Sequence, residues 1–258
     1  MLDFGFYNMD CLEGMRQFPD NYFELAIVDP PYGDGGVPGR TERGSDNDST
    51  DTSNRVQGQD IPRRKPRHKS GGGSRHYTFG ARKSRRTYQD RRNLGEQVRK
   101  KIIAWDVAPD QSYFDELFRV SRNQVIWGGN YFHLPPTRCF LVWRKLTISE
   151  KFSMAMAEYA WTSFNSNAKV FEHVPQDNTG QRFHPTQKPV ALYKWILTNY
   201  AKQGDKILDT HVGSASSLVA CYDLGFDYVG FEIDEEYYRL ASERLEEVKA
   251  QVRFEGLL

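Results

Sequence analysis

The 258-residue sequence is 38% hydrophobic and 27% charged, which suits one large globular domain or one domain carrying an elaborate insertion. No apolar run approaches the roughly 18 residues of a membrane span, and the opening Met1-Leu2-Asp3-Phe4-Gly5-Phe6 lacks the basic-then-apolar pattern of a signal peptide, so neither feature is expected. Three distant cysteines (Cys11, Cys139 and Cys221) argue against a disulfide framework and a cysteine-based metal site and suit a reducing cytoplasm, while a net charge of +1 on its own argues against a nucleic-acid partner.

That average hides an uneven distribution. Residues 1–32 read as compact, with a buried strand at 24–28 ending in a polar motif. From 33 to 101 the chain turns rich in Gly, Ser, Asp and Asn, then basic: Arg63, Arg64, Lys65 and Arg67 are followed by Arg82, Lys83, Arg85 and Arg86. Apolar residues do not recur there with any period, so the segment is expected to be flexible on its own. It reads either as a solvated loop or as a polyphosphate-binding arm. Tyr77, Phe79 and Tyr88 add stacking surfaces to the second reading.

Regular patterns resume near Trp105. Tyr113, Phe114, Leu117 and Phe118 predict a helix over 110–120, and strands are predicted at 124–127, 139–143 and 158–161. A helix over 190–201 precedes a strand at 206–208, a helix at about 214–223 and a strand at 228–231. A last helix opens at Asp234, an N-cap with Glu235 and Glu236 in its first turn. Tyr237, Ala241, Leu245, Val248 and Val252 form its apolar stripe. Alternating strands and helices predict an α/β fold with a mainly parallel sheet.

Three motifs bear on chemistry. Asp29-Pro30-Pro31-Tyr32 follows a buried strand, where open α/β sheets bind ligands. It can be a plain turn. It can also be a stiff corner that grips a planar exocyclic amine, with the Asp29 carboxylate and the Pro30 carbonyl as acceptors and Tyr32 as a stacking face. The second motif runs from Ile207 through Asp209 and Gly213 to Ser217, a strand, an acid, a tight turn and a helix. It lacks the dinucleotide-binding glycine pattern. Glu232 ends the next strand, where a carboxylate suits two ribose hydroxyls. The third motif is His184-Pro185-Thr186-Gln187-Lys188-Pro189, at a helix entrance.

In this order the elements resemble the DNA amino-methyltransferases that use S-adenosylmethionine. The likeness is to the permuted β arrangement, in which the catalytic motif precedes the cofactor motifs, and to phage-type adenine N6 enzymes. It covers 1–32 and about 105 to 258. It implies a Rossmann-like methyltransferase fold with helices flanking the sheet, a catalytic domain of 1–32 plus 102–258, and a basic insertion at 33–101. It implies Asp29, Pro30, Pro31 and Tyr32 as the motif for the target amine. Asp209, Gly213 and Ser214 would lie at the methionine part of the cofactor, Glu232 at its ribose and Asp10 at its adenine. Thr186 and Lys188 would belong to the motif that closes over the methionine end.

The partner implied is double-stranded DNA, with the target base turned out of the helix. Room is left for a cognate restriction endonuclease or for a solitary methylase. Asp at the head of the catalytic motif favours adenine N6 by family habit. Cytosine N4 methylation, and a degenerate DNA-binding protein without activity, are the competing readings. Two departures motivate the latter. Thr210, His211 and Ala215 stand where the family has Pro, Phe and Gly, and only about 169–183 is left for a recognition region before His184. The basic insertion is therefore expected to supply much of the grip on phosphates.

Overall fold

A computed structural model of the chain describes residues 1–33, 106–151, 154–175 and 182–255. The eight basic side chains assigned to DNA contact lie outside these residues. The order of elements is β1 (Gly5–Asn8), α1 (Cys11–Met15), β2 (Leu25–Val28), α2 (Gln111–Val120), β3 (Gln124–Trp127), a 3-10 turn (Gly129–Tyr131), β4 (Phe140–Lys145), β5 (Ala157–Thr162) and β6 (Lys169–His173). It continues through α3 (Val190–Tyr200), β7 (Lys206–Asp209), α4 (Ser216–Leu224), β8 (Asp227–Glu232) and α5 (Glu235–Glu255).

Among the described residues, eight strands join one sheet in the order β1-β8-β7-β2-β3-β5-β4-β6. From β1 to β3 every neighbour is parallel. β5 runs antiparallel to β3 and β4, and β6 pairs parallel with β4 at the edge. Alternate side chains of the central strands feed two cores. Ala26, Val28, Ile126, Leu208 and Val229 face the cluster containing Tyr113, Phe114 and Leu117 of α2. Leu25, Ile27, Val125, Trp127 and Ile207 face Leu192, Ile196 and Leu197 of α3 and Ala220 and Cys221 of α4. Burial on both faces explains why β2 reads as an unbroken apolar run, each such side chain contributing roughly 1.5–3 kcal/mol. The result is the expected Rossmann-like α/β architecture, helices on both faces of a mostly parallel sheet.

Local signals account for the helix starts. Asp110 caps α2, accepting from the Ser112 amide at 2.9 Å. The Asp234 carboxylate accepts from the Glu236 and Tyr237 amides, both at 3.0 Å, at the head of α5. In the α5 stripe Tyr237, Ala241 and Leu245 are buried. Besides adding the short helix Cys11–Met15, the structure departs from the sequence-based elements in three places. Gly5–Asn8 and Lys169–His173 are strands, so the stretch set aside for recognition begins as the sheet edge. α4 starts at Ser216, two residues later than predicted, because Gly213 and Ala215 both take left-handed backbone conformations, with φ of 54° and 60°.

β2 and β3 are adjacent and parallel although about a hundred residues separate them. Just past β2, the Gly33 amide donates to Asp106 Oδ1 at 3.0 Å, tying together the two points where the described chain leaves and re-enters.

Candidate active site

The carboxyl ends of β2 and β7 lie side by side, because Leu25 pairs with Ile207 and Ala26 with Leu208. Asp29 is the first residue past β2, and Asp209 is the last of β7. Two acidic groups thus meet at the carboxyl edge of the sheet, where ligands of open α/β folds bind.

The Asp29 corner is held from several directions. Pro30 is buried beneath it. The Tyr32 hydroxyl donates to Asp29 Oδ1 at 2.8 Å, and Lys188 Nζ donates to Oδ2. Burial, followed by the Asp29 and Glu158 charges, pushes the Tyr32 phenol well above its usual range, so it remains a donor. Lys188 is only 4% exposed. Its ammonium also lies 3.2 Å from Glu158 Oε2 and 5.4 Å from the centre of the Trp127 ring. Glu158 in turn pairs with Lys145 Nζ at 2.5 Å. Burial alone would lower the Lys188 pKa, but the two carboxylates outweigh it and the pKa rises. Burial likewise opposes ionisation of Glu158, and the two ammonium groups reverse that. Lys188 and Glu158 therefore both stay charged.

One face of Tyr32 is covered by Tyr131, with ring centres 4.6 Å apart and planes 9° from parallel. Gly128, at φ 66°, presses on the same phenol: a Cβ there would lie 2.1 Å from Tyr32 Cε1. Only glycine permits both the left-handed turn and that approach.

On the β7 side, Asp209 is 3% exposed. Ser217 Oγ donates to its Oδ2 and the His211 amide to its Oδ1 at 3.0 Å. Burial raises the carboxyl pKa to about 7 in spite of these bonds, with Asp29 and Glu232 adding to the rise. The Gly213 amide donates to Glu232 Oε2 and the Asp234 amide to Oε1, both at 2.9 Å. Burial raises this carboxyl too. Arg244 of α5 donates to the Ser214 carbonyl at 2.7 Å and to Ser216 Oγ at 3.0 Å, clamping the left-handed turn. Ser214 itself is buried, its Oγ 3.1 Å from that of Ser216.

The remaining motif residues sit around this turn. The His184 ring packs on Gly213, where a Cβ would approach within 3.2 Å of Cε1, and edge-on against Tyr237. Exposed Thr186 lies 3.2 Å from His184 Nδ1. Asp10 caps α1, accepting from the Glu13 amide at 3.0 Å. It follows β1, whose Asn8 is in register with Glu232. His211 lies edge-on to Tyr113, and burial brings its pKa down to about 4, so it is neutral near pH 7 and is a packing ring rather than a charge.

Asp10, Asp209, Gly213, Ser214 and Glu232 thus gather at one end of the parallel strands, beside the Asp29 corner. Lys188 differs from the expectation in its neighbours: its ammonium bonds Asp29 rather than the glycine turn. Glu158, Lys145, Tyr131 and Gly128 were not singled out by the sequence. Their only signal is a charged residue on a strand otherwise facing a core, as Glu158 is on β5. Chemically, the corner offers a fixed carboxylate beside an aromatic ring. The neighbouring turn offers two carboxylates, at Asp209 and Glu232, within a cradle of backbone amides.

Residues 77–243, well over half of the chain, match the profile of a family described as DNA methylase. The chain belongs to this family. Type II methyltransferase M.HpaI of Haemophilus parainfluenzae is 40% identical to this DNA methylase family member over 81 residues, 31% of this chain and 26% of that protein. Type II methyltransferase M2.DpnII of Streptococcus pneumoniae is 43% identical over 63 residues, 24% of each chain. These alignments span about a quarter of the length of the curated relatives. Among solved structures, the cytosine-N4-specific PvuII DNA methyltransferase is similar at a TM-score of 0.50 and 12% identity, covering 97% of this chain and 91% of that one, a likeness of fold.

Proposed function

We propose that this DNA methylase family member transfers a methyl group from S-adenosylmethionine to the exocyclic N6 amine of an adenine turned out of double-stranded DNA. The observation that carries this reading is the adjacency of the Asp29 corner and the Asp209 turn at the ends of two neighbouring parallel strands. The order of the two motifs along the chain agrees with the permuted β arrangement.

The residues present fit the cofactor. Asp209 is a buried acid whose proton is lost only near pH 7, and a cationic ligand beside it offsets the burial that holds the proton. Glu232 has both oxygens anchored by backbone amides and keeps a lone pair on each for ribose hydroxyls. Gly213 leaves room for the His184 ring against the turn, Ser214 is buried beside it, and Asp10, just past the strand that pairs with β8, is the residue for the adenine. Thr186 and His184 border the same turn. Bound there, the cofactor supplies an electrophilic methyl on a sulfonium.

The chain's own contribution is positioning and electrostatics. Asp29 accepts one N–H of the amine, the Pro30 carbonyl accepts the other, and Pro31 stiffens the corner that holds them. That draws the nitrogen lone pair out of conjugation and aims it at the cofactor side. Tyr32 provides the stacking face. As the nitrogen becomes cationic, the Asp29 carboxylate stabilises it, and the proton leaves afterwards to Asp29 or solvent.

Residues 1–32 and 102–258 form the catalytic domain in this reading. The 33–101 insertion, with Arg63, Arg64, Lys65, Arg67, Arg82, Lys83, Arg85 and Arg86, grips phosphates. The deciding experiment incubates DNA with methyl-labelled cofactor and digests it to nucleosides. Label in N6-methyladenine is the expected result. Label in N4-methylcytosine moves the target to cytosine, and DNA binding without label removes the enzyme reading.

A further inference from the structure

Four charged side chains form a line of alternating sign that ends at the proposed catalytic carboxylate. Lys145 Nζ lies 2.5 Å from Glu158 Oε1, Glu158 Oε2 lies 3.2 Å from Lys188 Nζ, and Lys188 bonds Asp29 Oδ2. Lys145 and Lys188 are 7% and 4% exposed. The members come from four separate places: the end of β4, the start of β5, the entrance to α3 and the end of β2. Trp143 underlies Lys145 and Trp127 underlies Lys188, each ammonium about 5 Å from the ring centre. Placing four charges in so little water is demanding, and burying ion pairs contributes little to stability by itself. Their arrangement therefore calls for another use.

Methyl transfer to a neutral amine leaves a positive nitrogen in the transition state. A carboxylate whose charge is fully spent on one buried ammonium does little for that nitrogen. In this line Lys188 is shared between two carboxylates, so the group of Asp29, Lys188 and Glu158 carries a net negative charge. The balancing positive charge sits on Lys145, at the end away from Asp29.

We infer that Glu158 is a positioning residue for methyl transfer: it draws part of the Lys188 charge away from Asp29, so that Asp29 keeps its negative character toward the target amine, and Lys145 moderates that effect from behind. The inference rests on the methylation reading above. Because Lys145 pairs with Glu158 while Asp29 pairs with Lys188, the line dictates alternating signs. Glu158→Gln leaves Lys188 to Asp29 alone and slows transfer. Lys145→Met frees Glu158 to hold Lys188 more strongly and speeds it. The double variant behaves as Glu158→Gln.

The test measures single-turnover methyl transfer to duplex DNA, cofactor and DNA dissociation constants, and melting temperature for the wild type and all three variants. Expected are a drop of at least ten-fold in the transfer rate for Glu158→Gln, a rate above wild type for Lys145→Met, and dissociation constants within two-fold throughout. If Glu158→Gln keeps its rate, or if Lys145→Met slows in step with its lost thermal stability, the charge line is structural and the inference fails. Should Glu158→Gln not fold, the sign of the Lys145→Met effect decides alone. A wild-type protein that transfers no label overturns the methylation reading, and this inference with it.

Discussion

The proton on Asp209 gives the most direct handle on cofactor binding. Its carboxyl is buried and titrates at about 7, against an ordinary value of 3.8. A cationic ligand binds the ionised form, so each bound cofactor must first displace whatever proton is present. For a single group the apparent dissociation constant scales as one plus the ratio of protonated to ionised acid. At pH 8 that factor is close to one, at pH 7 about two and at pH 6 about eleven, so affinity falls roughly ten-fold, or about 1.4 kcal/mol, from pH 8 to pH 6. Isothermal titration calorimetry with S-adenosylmethionine and no DNA reads this directly. In buffers of different ionisation heat it also reports release of about half a proton at pH 7. Asp209→Asn abolishes both the slope and the proton release. An affinity that is flat between pH 6 and 8 in the wild type, or a slope that survives in Asp209→Asn, would refute the assignment of Asp209 to the cofactor's cationic part.

The same carboxyl makes a stability prediction of defined sign. Because its folded pKa is raised, the folded state loses stability as pH climbs from about 4 to about 7 and is level above, a difference on the order of 4 kcal/mol. Asp209→Asn therefore melts higher than wild type at pH 8, and the gap narrows as pH falls and closes near pH 4. Asp29→Ala is expected to lower methyl transfer on the order of 10³-fold while leaving the cofactor dissociation constant within two-fold; activity close to wild type removes Asp29 from the chemistry. Gly128→Ala places a Cβ against the Tyr32 ring in a left-handed turn that alone costs about 1–2 kcal/mol, so melting temperature and transfer rate both fall. Tyr131→Ala uncovers a face of Tyr32 and lowers the fluorescence of 2-aminopurine at the target position as the extruded base stacks on it; unchanged fluorescence argues against that seat. Deletion of residues 40–95 is expected to flatten the dependence of DNA affinity on salt, and an unchanged slope dismisses the insertion as the phosphate grip.

Most of the parallel core was readable because each strand is buried on both faces and writes itself as a short apolar run. β2, β3 and β7 are of this kind, and Asp110 and Asp234 marked helix starts by their side-chain chemistry. The strands that escaped are those the core does not demand. Gly5–Asn8 is only half-buried, and Lys169–His173 is an edge strand with Val170 facing outward. The acids at strand ends were legible as types at positions. What they touch was not, since Lys188 reaches Asp29 across more than a hundred residues and Glu158 joins only through Lys188, and no local pattern encodes such pairs. The late start of α4 was also hidden: a left-handed Ala215 is tolerated because Arg244, thirty residues on, holds the adjoining carbonyl.

The bond between the Gly33 amide and Asp106 has an evolutionary corollary. With Gly33 and Asp106 bonded to each other beside the sheet, a change in the length of chain between them need not displace β2 or β3. Doubling such a span adds only about 0.6 kcal/mol of closure entropy. The scaffold can therefore exchange this stretch as a cassette, acquiring a new length or a new polarity without rebuilding its interior.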